Sequence, residues 1–172
     1  MKKRIWLTMA AIVIALIICL LIWCFYPRSS SSLMPIDKNT VTSLSALAYI
    51  LRFDGTQTHS DTYRIDNPDP QSTESGEIVE ILSTSNYRQD FRNLFPWGID
   101  TVDSDKSYDG RTVTLIFFFQ NAENEYMEIM FQSNSLMWIR TEEHPNLRIY
   151  HPTNSATLDK LVEYLKTHGV KQ

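Results

Sequence analysis

This chain of 172 residues contains few cysteines and few glycines, and it has no excess of positive charge. Both cysteines lie in the first 26 residues, so the remaining 146 residues form no disulfide bond, which excludes a small disulfide-stapled secreted domain. Those 146 residues carry 13 basic and 20 acidic side chains, a net charge of −7. This balance excludes a basic nucleic-acid binder. The five glycines form no Gly-rich phosphate-binding loop.

The first 26 residues are a membrane-directed leader. A basic start at residues 1–4 precedes an apolar run from Ile5 to Tyr26 that only Thr8 interrupts. A helix over this run is about 33 Å long, enough to cross a hydrocarbon core of ~30 Å. Residues 5–26 are therefore predicted to be a transmembrane anchor in the lipid bilayer. Because the basic residues precede it, the N-terminus is predicted to be cytoplasmic and the rest of the chain to lie outside.

Two alternatives to an uncleaved anchor remain. A cleavable signal peptide has an apolar region of about 7–15 residues and then small residues at its cleavage site. Here the run is longer, and only the serines at 29–32 are small. A lipoprotein signal needs a small residue before its cysteine, but Ile18 precedes Cys19 and Trp23 precedes Cys24. The sequence favours a single-pass signal-anchor.

Beyond the leader, residues 27–35 are rich in serine and proline without apolar periodicity. They are predicted to form a short, mostly unstructured stalk. The folded extracytoplasmic domain is then expected over residues 36–172, a length sufficient for one hydrophobic core.

Two helices are the clearest elements of this domain. The C-terminal helix is indicated by four apolar residues at positions i, i+3, i+4 and i+7, namely Leu158, Leu161, Val162 and Leu165. Asn154 or Ser155 is expected to cap its start, and Gly169 to end it in a left-handed conformation. An earlier helix is predicted over Glu74–Ser83, where acidic residues suit the first turns.

Strands are predicted between the two helices. The segment 111–120 is β-branched and aromatic, and its apolar end suggests a central strand covered on both faces. The segments 125–132, 135–140 and 147–150 follow across short connections, which favours antiparallel neighbours. Residues 97–103 are expected to pair back onto 111–120 around the Asp109-Gly110 turn.

The segment 41–53 is ambiguous, because its first half fits a helix and its second half fits a hairpin with residues 62–66 around Asp54-Gly55. We favour a strand for the second half. Residues 64–68 and 148–152 each precede a helix at a similar offset, which suggests a pseudo-repeat of hairpin–helix units. The predicted fold class is α+β, an antiparallel sheet of hairpins with two helices packed mainly on one face.

Candidate metal sites are weak. Asp103, Asp105 and Asp109 space oxygen ligands like the start of a calcium loop, but Tyr108 and Thr114 stand where the helix–loop–helix form needs glycine and glutamate. A hairpin turn is therefore the preferred interpretation, with calcium as the alternative. The four histidines show no helical i, i+4 pair and are interpreted as surface residues; they are His59, His144, His151 and His168.

No catalytic motif is present. The chain has no Gly-x-Ser-x-Gly, no Ser-x-x-Lys and no cysteine outside the leader. Carboxylates are plentiful in loops, so an envelope hydrolase that uses them is an alternative from another class. No catalytic residue, cofactor or metal is assigned, and an enzyme is not favoured.

One aromatic residue is a candidate for partner contact. Trp97 follows the charged stretch 87–92, and we interpret the segment 95–97 as a surface connection. A tryptophan in such a connection either packs back onto the core or contacts a partner.

The whole layout resembles the small membrane-anchored extracytoplasmic proteins of unknown function that are common in Gram-positive bacteria. The resemblance implies no catalytic residues. Together these features predict a non-catalytic protein-binding or regulatory domain that contacts another membrane or envelope protein, with a structural envelope component as a further alternative.

Overall fold

β-Structure dominates the chain after the leader, because apolar residues recur mostly at every second position there. The computed structural model describes residues 2–34, 38–67, 73–94, 111–123, 125–133, 136–143 and 145–172. Within these ranges the chain has four α-helices and one antiparallel sheet of nine strands. The predicted α+β class is confirmed.

The helices and strands have the following bounds. The helices are α1 (Lys2–Phe25), α2 (Ser30–Leu33), α3 (Thr73–Ser83) and α4 (Ala156–His168), with one 3₁₀ turn at Phe91–Leu94. The strands are β1 (Arg28–Ser29), β2 (Val41–Phe53), β3 (Thr58–Asn67), β4 (Asn86–Gln89), β5 (Arg111–Asn121), β6 (Tyr126–Gln132), β7 (Met137–Thr141), β8 (Arg148–Pro152) and β9 (Val170–Lys171).

Helix α1 is long and apolar enough to cross a membrane. Its segment Ile5–Phe25 has a mean hydropathy of 3.0 over 21 residues. Residues 5–23 are all exposed, and half-burial begins only at Cys24 and Phe25. An apolar helix that packs against nothing over most of its length is consistent with a single-pass membrane anchor.

The strand order of the sheet is β1-β4-β8-β7-β6-β5-β2-β3-β9. Strand β5 is central, as predicted, because β2 occupies one of its edges and β6 the other. The hairpins β2–β3, β5–β6 and β6–β7 are antiparallel neighbours across short connections. Asp54 shapes the β2–β3 turn by accepting hydrogen bonds from the backbone amides of Thr56 and Gln57, and Gly55 has a φ of 94°.

One apolar core lies on one face of the sheet. Alternate side chains of β2, β5 and β6 point into it and are fully buried, among them Ala48, Phe117 and Ile129. The buried apolar residues of α3 and α4 belong to the same cluster, including all four that define the predicted C-terminal helix. The core therefore lies between these helices and one side of the sheet.

The predicted unstructured stalk is wrong for residues 28–34. Arg28 and Ser29 pair with Tyr87 and Asn86 of β4, and α2 follows directly. Met34 is buried in the core. The sheet therefore begins three residues after the last residue of α1.

One other local expectation is corrected, and the charged stretch before Trp97 contains a strand. Segment 41–53 is a strand throughout, so the helical alternative for its first half is wrong. Its serines and alanines tolerate both helix and strand. The segment forms a strand because β3 pairs with one of its edges and β5 with the other. The charged stretch 87–92 is partly a strand, because β4 includes the fully buried Tyr87, whose hydroxyl donates to the Leu82 carbonyl at 2.6 Å.

The expected end of the last helix also differs. Asn154 caps α4 by accepting a hydrogen bond from the Ala156 amide at 3.1 Å. Gly169 has a φ of −78°, so it is extended rather than left-handed. It leads directly into β9, whose pairing with β3 requires an extended backbone.

The remaining expectations concern how the helices and strands are arranged relative to one another. The two-helix packing is not confirmed as stated, since Leu33 of α2 also packs against the core. The pseudo-repeat is not confirmed either: the strand that follows α3 pairs with β8, and the strand that follows α4 pairs with β3. The predicted strand at 97–103 lies outside the described residues.

Candidate functional site

The sheet has a second face, opposite the core, which we call the open face. Strand residues that alternate with the core residues lie on it, including Ser45, Leu47 and Tyr49 of β2. No described helix contributes a side chain to a cluster on this face. Where neither a helix nor a strand of the described ranges covers it, a sheet face is a natural binding surface.

A continuous row of apolar side chains crosses five strands of the open face. The register places each member directly opposite the next, from β2 through β5, β6 and β7 to β8. We call it the apolar row; its members are Leu47, Ile116, Met130, Trp138 and Ile149. Directly opposed side chains on adjacent strands pack against one another, so the row is one continuous surface.

The two ends of the apolar row differ in burial. Trp138 and Ile149 are buried in a small second cluster with Leu136. Leu47 and Ile116, at the other end, are only half-buried. Two aromatic side chains flank this end and are more exposed, Tyr49 at 40% and Phe118 at 43%. The exposed apolar surface is therefore concentrated on β2 and β5.

An open groove of about 510 Å³ adjoins this surface. Its lining combines aromatic rings with hydroxyl and amide groups, including Ser43, Ser45, Asp66, Phe118, Gln120 and Tyr126. Aromatic and small polar residues in one concavity are common in protein-recognition surfaces, because the rings supply contact area and the polar groups supply hydrogen bonds.

Charged groups at the margins of the groove are paired. The Ser45 hydroxyl donates to Asp66 at 2.7 Å and holds the pKa of that carboxyl below its usual range, with a further contribution from Arg64. On the other side, Arg140 lies 3.3 Å from Glu128. These pairs leave the apolar and aromatic groups as the main source of binding energy on this face.

Asp90 forms a polar cluster beside the buried end of the apolar row. Burial raises the pKa of its carboxyl, but hydrogen bonds from the side chain and amide of Arg92 and from His151 together lower it to about 2. The His151 Nε2 lies 2.7 Å from one carboxylate oxygen, and the Arg92 Nε lies 2.9 Å from the other. The carboxylate thus links the end of β4 to β8, a stabilising role.

Most of the sequence-predicted site residues lie outside the described part of the chain. This holds for Trp97 and for the calcium candidates Asp103, Asp105 and Asp109. Partner contact through Trp97 and the choice between a turn and a calcium site therefore stay predictions.

The histidines are dispersed. His59 lies in β3 and contacts Asp54 at 2.9 Å, whereas His168 stacks on Tyr164 in α4 with ring centroids 4.2 Å apart. His144 is outside the described residues. In the described ranges no group of three or more His, Cys, Asp or Glu residues is placed to hold a metal ion.

Comparison of the chain with protein-family models, with curated proteins and with solved structures finds no match. Functional inference consequently depends on the surface itself.

Sequence reasoning missed the open face. It interpreted the apolar end of 111–120 as covered on both sides, whereas Phe117 and Phe119 are buried and Phe118 is exposed. The available signal was the hydroxyl residues Thr112 and Thr114, which share the face of Phe118 and mark it as the more polar side of the strand.

Proposed function

We propose that this protein is a membrane-anchored, non-catalytic binding domain that docks another membrane protein on the open face of its sheet. The observation that carries the proposal is the half-exposed end of the apolar row together with the exposed Tyr49 and Phe118. Contiguous exposed apolar surface with a polar rim is characteristic of interaction sites.

The short link to the anchor supports a partner in the same membrane. Only Tyr26 and Pro27 separate the end of α1 from β1. A domain held this close to its anchor contacts groups near the bilayer surface, and a partner confined to the same membrane is present there at high effective concentration. The domain is proposed to lie outside the cell, because Lys2, Lys3 and Arg4 precede the anchor.

Affinity capture from crosslinked membranes tests the proposal. The full chain is expected to retain one membrane protein reproducibly, and Phe118→Asp is expected to lose it. Asp at this exposed position adds a charge to the binding surface without entering the core. Lys160→Asp, on the exposed side of α4, is the matched control and should retain the partner.

The alternative class is an envelope hydrolase that uses loop carboxylates. If no partner is captured and the full chain turns over an envelope fragment, the binding proposal is rejected and the hydrolase is supported. Retention of the same partner by Phe118→Asp would show that the interface does not lie on the open face.

A further inference from the structure

The strand registers identify which end of the sheet lies next to the membrane anchor. Arg28 follows α1 by three residues and pairs with Tyr87 in an antiparallel register, so β4 runs toward the anchor. Strand β8 is antiparallel to β4, which places its first residue, Arg148, at the same end. The end of β7 and the start of β6 pair there as well, through Thr141 and Met127.

A cavity of about 460 Å³ opens at this anchor end, on the core side of the sheet. Its lining includes Arg28, the serines of α2 and the residues at the ends of β6, β7 and β8. The volume falls in the range of pockets that hold small ligands. Because Arg28 is three residues beyond the anchor, the cavity lies close to the level of the lipid head groups.

Both signs of charge line this cavity. Its cationic groups are Arg28 and Arg148, and its carboxylates are Glu125, Glu142 and Glu143. None of the described ion pairs involves either arginine. The Arg28 guanidinium lies over the ring of Trp23, 5.6 Å from its centroid, and Trp23 is at the end of the anchor where indole rings favour the lipid–water boundary.

The carboxylates are also available. Glu142 and Glu143 are exposed and take part in no described ion pair. Glu125 accepts one hydrogen bond from the Asn121 side chain at 2.8 Å, which leaves further lone pairs on its carboxylate. A purely anionic ligand would meet three carboxylates here, and a purely cationic ligand would meet two guanidinium groups. A zwitterion satisfies both sets.

We infer that this cavity binds the head group of a phospholipid that carries both a phosphate and a primary ammonium, as phosphatidylethanolamine does. The phosphate binds the guanidinium groups of Arg28 and Arg148, because planar guanidinium groups donate paired hydrogen bonds to phosphate oxygens. The ammonium donates to the carboxylates of Glu142 and Glu143. The bound head group would hold the anchor end of the sheet against the bilayer.

Lipid titration of the full chain in detergent micelles tests this inference. Phosphatidylethanolamine is added in parallel with phosphatidylcholine, phosphatidylglycerol, soluble phosphoethanolamine and inorganic phosphate. Lipid retention is measured by native mass spectrometry, and the melting temperature by intrinsic fluorescence. Phosphatidylethanolamine is expected to be retained best and to raise the melting temperature most. Soluble phosphoethanolamine should bind more weakly, and inorganic phosphate should have the smallest effect.

Three variants sharpen the test. Arg148→Gln is expected to weaken phosphatidylethanolamine binding about tenfold or more, the effect of losing a charged hydrogen-bond donor. Arg88→Gln removes an equal charge from an exposed residue of β4 outside the cavity and should change nothing. If Arg148→Gln fails to fold, the exposed pair Glu142→Gln and Glu143→Gln should abolish the preference for phosphatidylethanolamine over phosphatidylglycerol.

Two results would overturn the inference. Equal retention of phosphatidylglycerol and phosphatidylethanolamine by the wild-type chain would mean that the carboxylates take no part. An equal loss of binding in Arg88→Gln and Arg148→Gln would mean that the effect comes from surface charge rather than from the cavity.

Discussion

Phe117, Phe118 and Phe119 show how alternation assigns different roles to identical neighbours. Phe117 and Phe119 are buried in the core, where Phe117 meets Phe131 edge to face with ring centroids 6.5 Å apart. Phe118 stands on the open face. Adjacent strand residues point to opposite sides of the sheet, so the same side chain is buried in the core at one position and exposed on the open face at the next.

This difference gives a matched prediction. Phe117→Ala should lower the free energy of unfolding by about 3–5 kcal/mol, because it leaves a cavity in a close-packed core. Phe118→Ala should lower it by less than about 1 kcal/mol, because the ring is already half in solvent. Urea unfolding of the full chain in micelles measures both. Equal losses would contradict the assignment of Phe118 to an open surface.

The Asp90 carboxylate predicts an acid-dependent component of stability. Its pKa of about 2 in the folded chain lies below the value near 3.9 of an unfolded aspartate, so its stabilisation is complete above about pH 4. It is lost as the pH falls toward 2. The difference in unfolding free energy between wild type and Asp90→Asn should therefore be largest at neutral pH and shrink between pH 4 and 2.

The control for this titration is Glu163→Gln, which changes an exposed carboxylate in the middle of α4. It should follow the wild-type curve throughout. A constant difference between wild type and Asp90→Asn down to pH 2 would show that the hydrogen bonds of this carboxylate with Arg92 and His151 do not stabilise the fold.

At the scale of elements, local pattern predicted the long and periodic segments and failed for the short ones. The sequence pattern predicts α4 and β5 because it is regular over many residues. Four apolar residues recur at helical spacing in α4, and β5 is a long β-branched and aromatic run. Strands β1, β4 and β9 have two to four mostly polar residues each, and only their neighbours in the sheet make them strands. No local signal reports such pairing.

The same limit applies to the candidate surface. The apolar row exists only because five strands align in register, and register is a property of the folded sheet. Single strands such as β7 show apolar residues on both faces, so the sequence alone does not separate the core side from the open side.

Strand β1 and helix α2 lead to a prediction about the boundary of the domain. A fragment that begins at residue 36 lacks β1, α2 and the buried Met34, whereas one that begins at residue 27 keeps them. The shorter fragment should be less stable by about 2–5 kcal/mol, the usual cost of losing a buried methionine-sized side chain. Thermal melts of the two fragments compare them. Identical melting temperatures would show that residues 27–35 do not stabilise the domain, as expected of an unstructured stalk.

At the scale of the whole molecule, the apolar helix α1 leads almost directly into the sheet. The apolar α1 ends at Phe25, β1 begins at Arg28 on one edge of the sheet, and β9 closes the other edge near the C-terminus. Only one end of the sheet therefore lies next to α1, and the open face carries the exposed aromatic side chains Tyr49 and Phe118.

The basic start of the chain predicts the orientation of the protein in the membrane. Protease added to intact cells should remove an epitope at Gln172 and leave one fused at the N-terminus protected, because Lys2, Lys3 and Arg4 are predicted to keep that end in the cytoplasm. Protection of the epitope at Gln172 would contradict an external domain. Recovery of the chain free in the medium would instead indicate a cleaved signal.

Site-directed photocrosslinking tests the proposed docking surface most directly. A photoreactive residue at position 118 of the full chain, illuminated in native membranes, should crosslink to one membrane protein. The same residue at position 160, on the exposed side of α4, should give no such product. Crosslinking of position 118 only to a second copy of the chain or to lipid, or equal yields from both positions, would contradict docking of a membrane partner on the open face.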